Sequence, residues 1–407
     1  MAETQASQVR AGTACRQRTA GGDILAQPAR PMAEPEHDMP MMQEVARTMY
    51  LGGEDEGCFD RRREIDDRVQ AGGRMRTSSR EELGMPTLHG TLLKAAGLLL
   101  ALTTAVAAQD YPNKPVRLII PFPPGGSNDV VGRLIATHLS ERLGKQVVVD
   151  NRGAGAGGVV GSEVAANAPR DGYTLLIISL AHAVNPWLYK LPYDPIKSFT
   201  PVAILASGTN VLVVNPDLPV HSVKDLLAAA KEKPGQLQYA SAGIGSFQHL
   251  GGELFKLTAG VNLLHVPFKG GGPAMIDVIG GHTKVMFSSL VQTTPHIRSG
   301  KLRALGTGGL TRNPVLPDVP AIAEAGVPGY EAVNWWGVVA PAGTPAAIVE
   351  KLHKEITAVQ ESDEVKKHFA SEGAQVVQMS SAEFAAFIEK EMNKWERVVK
   401  EGGIKAE

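Results

Sequence analysis

Cysteine is nearly absent: the 407-residue chain has two, Cys15 and Cys58. Both precede any segment with a foldable pattern. The remainder therefore offers no disulfide, no thiol nucleophile and no Cys-ligated zinc. An excess of charge is missing too, since the formal net charge is −1. A nucleic-acid binder normally carries a basic face, so that class is disfavoured. The chain also lacks a long apolar run. Its most apolar segment, Ala95–Val106, falls short of the roughly 20 residues a membrane span needs. The histidines show no H-E-x-x-H or other tight metal spacing, and no G-x-S-x-G elbow occurs. Neither a metal nor a cofactor is expected.

Residues 1–84 are rich in Arg, Glu, Asp, Met, Gly and Gln, with no sustained apolar periodicity. They read as a disordered or non-native extension, or as a translation start assigned too far upstream. Residues 85–108 read as an export signal. Met85 opens the segment, Lys94 precedes the apolar core, and Ala105-Val106-Ala107 gives a small-x-small cleavage pattern. The competing reading is a buried apolar helix. No Cys follows the core, so lipid anchoring there is not expected. The mature chain would begin near Ala108 or Gln109, as a soluble extracytoplasmic protein.

From Tyr111 onward, short β-like runs alternate with amphipathic helical patterns. Strands are expected at Val116–Ile120, Val147–Val149 and Thr174–Ile178. Helices are expected at Val130–Leu143, closed by Gly144, and at Val159–Ala168. This order implies an α/β fold with a parallel sheet covered on both faces. Two separate strands are expected at Val202–Leu205 and Val211–Val214. A second strand–turn–helix unit runs through Leu237–Ala240 to Ala259. Further on, Trp335–Pro341 reads as a strand and Pro345–Gln360 as a helix. Ser380 or Ser381 with Glu383 suggests a capping box for the last helix.

Glycine-rich turns recur between these strands and helices. Pro123-Pro124-Gly125-Gly126-Ser127-Asn128-Asp129 is the first, with Ser127 or Asn128 as the expected N-cap. Backbone N–H groups at a helix start form an anion site. The turn lacks Lys and Arg, and no Gly-Lys-Ser/Thr ending marks a phosphate loop. A carboxylate is the expected guest; a purely structural turn is the equal alternative. Gly153–Gly158 approaches a dinucleotide fingerprint but lacks an acidic ribose partner after the next strand. Gly243-Ile244-Gly245-Ser246 repeats the first turn, with His249 close behind. Ser246 and His249 show no third member of a triad.

These segments together resemble the extracytoplasmic solute receptors of tripartite tricarboxylate transporters, the Bug or TctC type. The resemblance rests on Tyr111-Pro112, Pro123–Gly126 with Asp129, Val149–Gly155, Asp171–Leu176, Tyr193–Pro195, Ala242–Ser246 with His249-Leu250, Pro267–Gly270, and Trp336-Gly337 to Pro345. It covers roughly three quarters of the chain. Asp150 departs from the pattern, where many members carry Glu. The resemblance implies a two-lobed, type II periplasmic-binding-protein-like fold, each lobe a mixed, mostly parallel sheet flanked by helices. Lobe 1 would comprise 109–207 and 334–407, and lobe 2 would comprise 208–333. It implies a monomeric periplasmic receptor, without enzyme activity, that hands a small carboxylate to the transporter's membrane components. Carried onto this sequence, the binding set is Pro124, Gly125, Gly126, Ser127 and Asp129 from the first turn, and Gly243, Gly245, Ser246 and His249 from the second. Ala156, Gly157, Ser179, Lys269, Gly270 and Ser288 complete it. A hydrolase or isomerase using Ser246 and His249, or a sensor lobe in signalling, are the alternatives.

Overall fold

The first strand among the described residues, β1 (Val116–Ile120), is apolar except for the half-buried Arg117, because both its faces are covered. In the computed structural model, which describes residues 111–153, 156–401 and 403–405, it lies between β2 (Val147–Asn151) and β3 (Thr174–Ser179). Both neighbours run parallel to it. The expected extension, export signal and both cysteines lie outside the described residues.

Helix α1 (Ser127–Leu143) buries Val131, Ile135 and Leu139, four residues apart on one face. Each such side chain contributes roughly 1.5–3 kcal/mol by leaving water. Gly132 lets this helix lie flat on the sheet: a Cβ there would come 2.6 Å from Ile120 Cδ1 and 2.9 Å from Ile177 Cδ1. Gly144 ends the helix in the left-handed region, at φ 62°, as its sequence position suggests. The N-cap differs from expectation. It is Gly126, without a side-chain cap, and Ser127 and Asn128 fall inside the first turn. Helix α2 (Val159–Ala166) and helix α3 (Leu180–Leu188) follow.

Strand β4 (Phe199–Val214) is a single 16-residue strand where sequence patterning suggests two. Ser207-Gly208-Thr209-Asn210 interrupts the apolar run and mimics a turn. The backbone continues through it because the strand changes partners there. Up to Thr209 it pairs antiparallel with β9 (Val333–Pro341). From Asn210 on it pairs antiparallel with β7 (Val285–Ser289), and from Val211 with β8 (Arg303–Thr307). The fold is thus two α/β lobes sharing one long strand.

In the second lobe, β5 (Gln238–Ser241) runs parallel to both β6 (Leu264–Pro267) and β7. Parallel pairing holds in the outer part of each lobe, and antiparallel pairing at the junction. Helices α4 (Val223–Glu232), α5 (Phe247–Ala259), α6 (Gly271–Ile279) and α7 (Leu290–Arg298) cover this sheet. The chain then returns to the first lobe through β9, α8 (Ala346–Glu361), α9 (Asp363–Ser371), β10 (Ala374–Val376) and α10 (Ser381–Glu401). The capping box exists: Glu383 N donates to Ser380 Oγ, and Ser380 N donates to the Glu383 carboxylate.

Candidate ligand-binding cleft

Asp129 organises the first glycine turn. Its carboxylate accepts from Gly125 N at 3.0 Å, from Arg133 Nε at 2.9 Å and from Asn151 Nδ2 at 2.8 Å. Burial alone would raise its pKa. These donors, with the Arg133 charge, outweigh burial and hold it below the ordinary carboxylate value. Asp129 is therefore committed to its own loop. Arg133, one helical turn on, neutralises it. The neighbouring Asn128 donates to Ser179 Oγ and accepts from Trp336 Nε1, which ties the first turn of α1 to the end of β3 and to β9. Asp150, at the departure from the family pattern, pairs on β2 with Arg117 and Arg152.

The second turn has a different internal support. Ser246 caps α5, its Oγ accepting from His249 N at 3.3 Å. His249 Nδ1 accepts in turn from Gly245 N at 3.2 Å. Gly243 and Gly245 adopt φ 111° and 75°, a region that glycine enters without strain. His249 stacks on His265, ring centroids 4.2 Å apart, and His265 Nε2 bonds Ser241 Oγ at 2.6 Å. Burial pushes His249 down to about 4, with Lys256 adding to the fall and Glu253 opposing it. The imidazole is neutral, with its proton on Nε2, since Nδ1 is an acceptor. Neither Ser246 nor His249 offers the other a base-to-hydroxyl bond, so the geometry of a nucleophile pair is not formed.

Across the lobes, the first turn meets the Gly270-Gly271-Gly272 segment. A Cβ on Gly272 would lie 2.2 Å from the Pro124 carbonyl oxygen, and one on Gly270 would lie 2.5 Å from Pro123 Cδ. Tyr189 Oη, just past α3, donates to the Ile244 carbonyl at 2.9 Å. Behind this seam is a cavity of about 20 Å³, room for roughly one water molecule. The lobes stand closed, and a whole organic acid enters only when they part.

Four helices begin at that cavity. Ser127 and Asn128 of α1, Ser179 and Ala181 around the start of α3, Ser246 to Gln248 of α5, and Gly271 of α6 all line it. Three of the four helices, α1, α3 and α6, have no side-chain cap. Of their first-turn N–H groups, Leu180 N donates to Asn334 Oδ1 and Asp129 N to the Gly126 carbonyl, and each helix adds the positive end of its dipole. The lining contains no charged side chain.

Gly126, Ser127, Ser179 and Ser246 of the expected set line this cavity. Pro124 and Gly270 form the seam beside it. Gly125, Asp129, Gly243, Gly245 and His249 shape the two turns from behind. Gly157, in the 3-10 turn Ala156–Gly158, accepts from Asn185 Nδ2 at 2.9 Å. Lys269 is exposed, and Ser288 is fully buried in β7. Asn128, Phe247, Gln248 and Gly271 line the cavity too and fall within the glycine-turn segments the sequence singles out, whereas sequence reasoning missed Phe122, Ala181, Ala242 and Asn334. Ala181 belongs to a helix that the pattern did not reveal. Asn334 adjoins the Trp335-Trp336 pair and accepts from Leu180 N at 3.4 Å.

The family model for the tripartite tricarboxylate transporter family receptor matches residues 131–404. The chain belongs to this receptor family. Protein BugT of Bordetella pertussis is 38% identical over 320 residues, covering 77% of this chain and 98% of that one. A UPF0065 protein of Pseudomonas sp. strain P51 is 40% identical over 317 residues, covering 76% and 94%. Among solved structures, Rpa4515 of R. palustris with adipate is 39% identical, with TM-score 0.71, covering 73% of this chain and all of that one (100% of it). MatC of Rhodopseudomonas palustris with bound malate is 33% identical, with TM-score 0.67, covering 71% and 100%. The family consists of substrate-binding receptors, not enzymes, and the hydrolase or isomerase alternative falls with that. Among the described residues, no helix is long and apolar enough to cross a membrane.

Proposed function

We propose that this receptor captures a small organic carboxylate between its lobes in the periplasm and delivers it to the membrane components of a tripartite tricarboxylate transporter. The observation that carries this reading is the convergence of four helix starts on one uncharged cavity between the lobes. Neutral N–H donors suit a carboxylate that is to be released, because no fixed cation holds it back. The adipate and malate in the two solved relatives support the same ligand class.

We take lobe 1 as 109–207 with 334–407, lobe 2 as 208–333, and the working form as a monomer. Closure is a population shift. The ligand touches both sets of helix starts only when the lobes are together, and that differential affinity drives the hinge. A thermal-shift screen over dicarboxylates, tricarboxylates, amino acids and aromatic acids tests the reading. A ligand at about a hundredfold excess over Kd stabilises by about 2.7 kcal/mol, a clear rise in Tm. If no carboxylate raises Tm, the reading fails.

A further inference from the structure

Gln292, in the first turn of α7, is 4% exposed. Its Nε2 donates to the Gly271 carbonyl at 2.7 Å. That bond fixes the orientation of the amide, because a carbonyl oxygen only accepts and the nitrogen must face it. Gln292 Oε1 is consequently left buried with no hydrogen-bond partner. It lies 2.8 Å from the point a Cβ on Gly271 would occupy, and Gln248 Nε2 lies 3.2 Å from the same point. Gly271 and Gln248 both line the interlobe cavity. At the foot of α7, the hydroxyls of Ser288 and Ser289 are likewise buried and unpartnered.

The helix starts supply donors, whereas Gln292 supplies an acceptor. A buried acceptor without a donor is unfavourable, and native proteins rarely leave one so. A ligand that brings its own donor relieves it. The donor is better a hydroxyl than an ammonium. An ammonium leaving water needs an anionic partner, and the cavity lining carries no charged side chain.

We propose that Gln292 Oε1 accepts a hydrogen bond from a hydroxyl group on the bound carboxylate, so that this receptor selects hydroxylated acids over their deoxy counterparts. The inference rests on the carboxylate reading above and adds the hydroxyl to it. A site that hydrogen-bonds a ligand hydroxyl rejects the analogue lacking it, because the site's own polar group is then stranded.

Titration calorimetry on the receptor tests this with matched pairs: malate against succinate, 2-hydroxyglutarate against glutarate, and 2-hydroxyadipate against adipate. In the pair of best-fitting length, the hydroxy acid binds roughly 10- to 100-fold tighter. Gln292→Met, of similar shape but without either amide atom, costs the hydroxy acid more affinity than the plain acid and erases that ratio. The wild-type comparison needs no variant and stands even if Gln292→Met folds poorly. Equal affinities within every pair, or a ratio that survives in a folded Gln292→Met, overturn the inference while the carboxylate reading stands. If no acid of either kind binds, both fall together.

Discussion

Replacing Gly272 by alanine adds one methyl group at the point where the lobes meet. Gly272 lies within α6, and alanine is the better helix former by about 1 kcal/mol. Within its own lobe the new Cβ meets no atom among its three nearest neighbours. All three belong to the opposing turn: Pro124 O at 2.2 Å, Pro124 C at 3.3 Å and Gly125 Cα at 3.4 Å. Restoring ordinary van der Waals separation from that carbonyl requires the lobes to part by roughly 1 Å. A carboxylate bridging them then loses one charge-assisted hydrogen bond, contributing about 1.5–3 kcal/mol. Affinity falls roughly 10- to 100-fold. The ligand-free Tm is unchanged or slightly raised. Titration calorimetry and differential scanning calorimetry on Gly272→Ala, with and without ligand, read both quantities. Unchanged affinity would refute the reasoning, since it would mean that the bound state does not bring these turns together. A markedly lower ligand-free Tm would place the clash inside lobe 2 instead.

Other perturbations follow from the same geometry. Asp129→Asn leaves Arg133 without its anion and costs the fold about 1–3 kcal/mol, read by urea denaturation at neutral pH. Because the folded state lowers the Asp129 pKa, its contribution is present above the unfolded value and is lost as pH falls through the folded one. Asp129→Asn therefore flattens the acid limb of the stability curve. His249 behaves as a buried neutral base: its pKa is about 4 in the fold, below its ordinary 6.5. The unfolded chain takes up the proton first, so stability drops as pH falls between those values, by on the order of 2 kcal/mol. His249→Asn keeps an acceptor for Gly245 N and reduces the stability–pH slope in that window by about one proton. Intact-mass measurement of the protein purified from the periplasm of its host should give a chain starting near Ala108 or Gln109. A start upstream of residue 85 would contradict the export signal.

Much of this fold is legible in the sequence, because its signals are local. The strand, glycine turn and helix around Gly125-Gly126 announce themselves by an apolar run, a turn and helical spacing. Gly144 and the Ser380–Glu383 box mark helix ends by capping chemistry that needs no tertiary context. What escaped reading depends on distant partners. Ser207 to Asn210 looks like a break, and only the switch from β9 to β7 keeps the strand continuous. Helices α3 and α7 follow β3 and β7 without an intervening residue, and each contains a proline, Pro186 and Pro295. No loop signal separates them from the strands, so their first turns were invisible. Those turns hold Ala181 and Gln292. Asp129 shows the opposite limit. Its motif is plain, but only the fold shows Gly125, Arg133 and Asn151 gathered around its carboxylate to support the turn.

The most direct measurement of the central claim is a crystal structure of the receptor with a dicarboxylate that raises its Tm. One ligand carboxylate is expected between the lobes, within hydrogen-bond distance of first-turn N–H groups from both α1 and α5 or α6, with no Lys or Arg side chain on it. A ligand held on one lobe alone, or a carboxylate paired with a lysine or arginine, would contradict it.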